Sequence, residues 1–122
     1  MRYLKDVPRI KVAGVNTETL YNQIKTHIKT SEYRELNEYW TKILITNTDV
    51  ITKILNGTYN GYTTLDLTRF LRHHKAIFIE GYPKGKIENT THLDADVTGL
   101  TLWLKDKIYE IKIANAIEIK GS

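Results

Sequence analysis

The sequence predicts an α+β fold in which N-terminal helices pack on a C-terminal antiparallel sheet or meander. Two periodicities and one absence lead there. Apolar residues recur at helical spacing through the first half, and from Lys75 onward the period changes to the alternation of strands. No Gly-, Ser- or Pro-rich linker, repeat or low-complexity tract divides the 122 residues. One domain over 1–122 is therefore expected, mainly helical over 15–74 and mainly β over 75–120.

"RIKVAG" (9–14) alternates and ends on Gly14, which reads as an early strand. Asn16 then stands where an N-cap belongs, and Leu20, Tyr21, Ile24 and Ile28 share a helical face, giving a helix over 17–29. In "SEYRELNEYWTKILI", Tyr33, Leu36, Trp40, Ile43 and Leu44 again fall on one helical face. The closing "TKILI" fits a short buried strand equally well, because a run that short has no decisive period. "NTDVITKILNG" predicts a compact helix, with Thr48 as cap, Asp49 in the first turn and Asn56-Gly57 as a left-handed exit. After the loop "NGTYNGY", "TTLDLTRFLRHH" predicts another helix over 64–74, with Leu67, Phe70 and Leu71 on its apolar side. "KAIFIEGY", "KIENTTHLDADV", "LTLWL" and "KIYEIKIANAIEI" are the strands, with "YPKG" and "KDK" as turns.

Composition narrows the chemistry. Hydrophobic residues at 41% and charged residues at 26% describe an ordinary globular chain. With no cysteine, disulfides, thiolate zinc sites, iron–sulfur clusters and cysteine nucleophiles are excluded together. Ser31 and Ser122 are the only serines, which argues against a serine nucleophile. "GTYNG" lacks the lysine and the strand–helix context of a phosphate loop, and no cofactor is expected. No stretch reaches the roughly 18 apolar residues of a membrane helix, so no membrane partner and a cytoplasmic location are expected. A formal charge of +4 and a pI near 9.2 favour an anionic partner.

Three constellations could carry function. Asp96 followed by Glu110-Ile111-Lys112 resembles the metal-holding core of the restriction-endonuclease-like nucleases, where Asp and Glu bind the ion and Lys positions water. That fold continues with a helix and a strand, for which the ten residues after Lys112 are too few. Alternation accounts for the tail directly: Tyr109, Ile111 and Ile113 turn inward while Glu110 and Lys112 face water.

"HLDAD" places His92, Asp94 and Asp96 on one strand face, with Leu93, Ala95 and Val97 on the other. An imidazole and two carboxylates are Zn²⁺, Mn²⁺ or Fe²⁺ ligands. Same-face neighbours on a strand stand about 7 Å apart, however, so a metal would need further ligands such as Glu88, His73 or His74.

The third is a basic stretch: Arg69, Arg72, Lys75, Lys84 and Lys86 against the single acid Glu80 within 69–86. A basic helix at 64–74 followed by the tip "GYPKGK" resembles the recognition helix and wing of a winged helix-turn-helix. The resemblance implies phosphate or base contacts from the cations and stacking by Tyr82. The linker "NGTYNGYT" is longer than that motif uses, and Asp66 stands near the start of the proposed helix. In outline, "KILITNTDVITKILNGTYN" is similar to the ASCH/PUA-like RNA-binding barrels, although Gly57 is followed by Thr58 rather than lysine.

The reading is a small, basic, non-enzymatic protein of regulatory or accessory type that binds DNA or RNA. Arg69, Arg72, Lys75, Tyr82, Lys84 and Lys86 are its expected contact surface. A protein–protein inhibitor or adaptor with an acidic partner, of the kind carried by phages and mobile elements, is the first alternative. A metal-dependent hydrolase using His92, Asp94 and Asp96 is the second. An exposed final strand could also pair two copies into a homodimer.

Overall fold

The computed structural model of the chain describes residues 8–15, 26, 30–59, 61–80, 85 and 90–121. Among them the elements run β1 (Ile10–Val15), β2 (Ser31–Glu35), α1 (Glu38–Leu44), α2 (Thr48–Leu55), β3 (Thr64–Asp66), a 3₁₀ turn (Thr68–Phe70), β4 (Lys75–Glu80), β5 (His92–Trp103) and β6 (Ile108–Ile119). The α+β class stands, but the helices-first order does not, since β1 and β2 precede both helices. The sheet is mixed rather than antiparallel throughout, because β1 pairs parallel with β4. The helix expected over 17–29, the turn "YPKG" and the hairpin tip lie outside the described residues, apart from Thr26 and Gly85.

The chain divides into two compact units, and β5 and β6 contribute one segment to each. In the first unit the strand order is β1-β4-β5-β6. Ile77 of β4 pairs with Lys11 in the parallel ladder and with Asp94 in the antiparallel one. The β1 register slips between Val12 and Val15, where Gly14 takes φ +70°, a left-handed conformation open to glycine at little cost. Ile10, Val12, Phe78, Ile79 and Leu93 are buried in this unit. The C-terminal half of β6 contains Asn115 at φ +56°, and asparagine is the non-glycine residue that best tolerates this region.

In the second unit the order is β3-β5-β6-β2, with both helices attached. Leu44, Ile45, Leu100, Leu102, Tyr109 and Ile111 are fully buried here. Thr41 Oγ1 ties helix to sheet, lying 2.6 Å from the Asn37 carbonyl and 2.6 Å from the Tyr109 hydroxyl. Burial pushes the Tyr109 phenol up to about 12.

Two predicted helices are overturned. Residues 31–35 form a strand on β6, with Tyr33 opposite Glu110, and the helix starts only at Glu38. Asn37 stops the strand and caps that helix by accepting from the Trp40 amide at 2.9 Å. The helix over 64–74 does not form. Asp66 Oδ1 accepts from both the amide (3.0 Å) and hydroxyl (2.6 Å) of Thr68, an Asx turn that diverts the chain after three strand residues. The backbone then finds distant partners: Leu67 donates to the Leu100 carbonyl, Thr46 to Phe70, and Arg72 to Leu44. The helix at 48–55 is present as expected, with Asn47 rather than Thr48 as its cap and Gly57 at φ +70° at its exit. The two strands read at 86–97 and 100–104 are one continuous strand from His92 to Trp103.

Candidate nucleic-acid interface

Three of the six predicted contact residues are described, and each has a different environment. Arg69 is exposed on the 3₁₀ turn, its guanidinium carbon 4.8 Å from the centre of the Phe70 ring. It borders a small hollow of 420 Å³ that also receives Lys53, Asp49 and Asp66, so positive and negative charges alternate there. Arg72 is exposed yet anchored, with Nε donating to the Lys42 carbonyl (3.1 Å) and Nη2 to the Ile45 carbonyl (3.2 Å). The guanidinium fork has five N–H donors. Two are spent in fixing the side chain, and the rest of the fork is oriented without further ordering. Lys75 lies in the first unit with its ammonium 2.8 Å from Asp96 Oδ1. Tyr82, Lys84 and Lys86 lie outside the described residues. Arg69 and Arg72 thus share the short segment 68–72, which is a turn and a bridge rather than the recognition helix expected.

The strand face of His92, Asp94 and Asp96 is not open to water along its length. His92 and Asp94 are buried, as are Leu93 and Ala95 on the opposite face. Burial is tolerated because the polar atoms find partners. Asp94 Oδ1 receives Arg9 Nε at 2.9 Å, and His92 Nδ1 lies 2.7 Å from the Thr90 carbonyl. Asp96 is half-buried, and its carboxyl is held below the usual aspartate value first by the bond from Lys75 and then by that from Asn115. Among the described residues, no three His, Asp or Glu side chains come close enough to hold a metal ion. The candidate ligands are instead committed to Arg9, Lys75, Asn115 and the backbone.

The Glu-Ile-Lys segment behaves as alternation predicts. Tyr109, Ile111 and Ile113 are buried, Lys112 is exposed, and Glu110 is half-buried. The Glu110 carboxylate accepts from Ser31 Oγ (2.7 Å) and Trp103 Nε1 (3.0 Å), and the Ser31 bond is the larger cause of its lowered pKa.

One feature of the second unit escaped the sequence reading. A groove of 610 Å³ runs between the C-terminal end of α2, the residues Gly57 and Gly61 to Thr63, and the β5–β6 turn. Leu36, Ile54, Leu55, Leu104 and Tyr62 line it, and Lys105 and Lys107 stand at its lip. Leu55 is 41% exposed and Tyr62 62%. The signals were present as a tyrosine in a glycine loop and two lysines in a turn, but separately they identify only loop and turn.

Among the described residues, no helix is long and apolar enough to cross a membrane. Compared with protein-family models, curated proteins and solved structures, the chain matches none.

Proposed function

We propose that this chain is a non-catalytic, nucleic-acid-binding protein of accessory type, with Arg69 and Arg72 as phosphate contacts on the segment 68–72. The observation that carries the reading is the anchoring of Arg72 by two backbone carbonyls while its side chain remains exposed. A long cation normally loses rotamer freedom when it meets a phosphate, and a guanidinium already fixed loses less. The formal charge of +4 adds a general attraction to polyanions. Lys75 contributes less, because a contact there must compete with Asp96. Tyr82, Lys84 and Lys86 remain candidate contacts on sequence grounds alone.

Fluorescence anisotropy with labelled single-stranded DNA, duplex DNA and structured RNA across a salt series tests the proposal. Binding at micromolar protein is expected, weakening steeply as salt rises. Arg69→Ala should weaken it about three- to tenfold. Arg72→Gln, which keeps an N–H donor at the position of Nε for the Lys42 carbonyl, should do the same, with circular dichroism checking the fold. No binding of any of the three at low salt overturns the reading.

A further inference from the structure

We propose that the groove bordered by α2, Gly57, Gly61 to Thr63 and the β5–β6 turn receives an acidic, amphipathic segment of a protein partner. The groove lies wholly within the second unit and uses none of the residues assigned to nucleic acid. It therefore stands or falls independently of that assignment.

The groove is built before anything enters it. Leu36 donates its amide to the Lys107 carbonyl at 2.8 Å, and Leu104 donates to Thr63 at 3.1 Å, joining the walls across the turn. At the end of α2, Gly57 and Thr58 donate to the carbonyls of Ile54 and Lys53 at 3.1 and 2.9 Å. A preformed apolar cleft spares its ligand the cost of ordering the walls.

The lining says what kind of ligand fits. The floor is aliphatic, from Leu36, Ile54, Leu55 and Leu104, with Tyr62 as its aromatic member. Nucleobases are held on aromatic platforms with polar groups at their edges, whereas an aliphatic floor suits Leu, Ile or Met side chains on one face of a helix. The only charged residues among the described lining are Lys105 and Lys107, which complement carboxylates flanking those apolar side chains. Asp106, between the two lysines in the turn, is exposed but does not line the groove, so the charge in the lining itself is positive.

Lys107 gives a second reason. Its backbone sits at φ +56°, where glycine would be relaxed and lysine is strained. A turn that needs only to reverse the chain is best served by glycine at such a position. A lysine there places a cation at the lip at some cost to stability, as binding residues do.

The test uses a labelled, synthetic amphipathic helix about 14 residues long, with Leu at i, i+3, i+4 and i+7 and Glu elsewhere, beside its Glu-to-Lys counterpart. The acidic peptide should bind the full chain at micromolar concentration and the basic one at least about tenfold more weakly. Leu55→Asp should lose the acidic peptide, and the double variant Lys105→Glu/Lys107→Glu should transfer the preference to the basic peptide. All three substituted residues are exposed, and circular dichroism checks that each variant is folded. Equal binding of both peptides, no binding of either, or binding unchanged in the folded variants overturns the proposal. So does sedimentation showing that wild type self-associates and Leu55→Asp does not, which would make a second copy the occupant.

Discussion

Asp94 and Arg9 meet at 2.9 Å with side chains only 8% and 6% exposed, so neither charge can fall back on water. Removing one partner of such a pair leaves the other ion in a poorly solvated place. Asp94→Ala should cost about 3 kcal/mol, read as a lowered urea midpoint with an unchanged slope. Tyr109 makes a pH prediction. Its folded pKa, about 12, lies above the value near 10 of an unfolded tyrosine. The stability it contributes is therefore complete below pH 10 and is lost as pH rises through 12. Spectrophotometric titration should show one of the eight tyrosines ionising last, together with unfolding. At this scale the sequence was half legible. Alternation correctly put His92, Asp94 and Asp96 on one face. That Asp94 is buried depends on Arg9, 85 residues away in the chain, and nothing local to "HLDAD" announces it.

At the scale of elements, the exit of the second helix at Asn56-Gly57 was legible, whereas its cap is Asn47 rather than the expected Thr48, and the cap Asn37 was not singled out. Asn47 accepts from the Val50 amide at 3.0 Å and Asn37 from that of Trp40, each serving a helix of no more than 8 residues. Replacing either with Ala should cost about 1 kcal/mol. Thermal denaturation measures that loss directly. Conversely, Lys107→Gly should stabilise the chain by about 1 kcal/mol by relieving the left-handed lysine, and a raised Tm by calorimetry checks it. The two misread helices fail for related reasons. In β2 the inward residue is Glu32, which is 4% exposed, so the alternation that marks a strand carries no apolar signal. Tyr33 and Leu36 then complete a helical stripe by coincidence of spacing. In 64–74 the stripe of Leu67, Phe70 and Leu71 is real, but Leu67 and Leu71 reach the interior through the Asx turn at Asp66 and the bridge from Leu71 to Ile45. A strand of three residues is too short to show a period of two.

For the whole molecule the charge balance was fully legible, while its distribution was not. Eighteen basic residues face fourteen acidic ones, yet several cations are already answered, Lys75 by Asp96, Lys42 by Glu38 and Lys120 by Glu118. Affinity for a polyanion therefore depends on which cations still have donors to offer, and the salt slope counts them. Each phosphate contact adds about 0.9 to the slope of log Kobs against log salt on duplex DNA and about 0.7 on single strands. Arg69→Ala and Arg72→Gln should each lower the slope by about that amount. Lys75→Gln should lower it less, because Lys75 is already paired with Asp96 and offers a weaker phosphate contact. Neutralising Lys105 and Lys107 to Gln separates the two proposed surfaces. If the groove is reserved for an acidic segment, that double variant loses the peptide and keeps the nucleic-acid slope of the wild type. A slope that falls by two contacts would instead place the nucleic acid across the groove, and Tyr62 would then be its stacking platform.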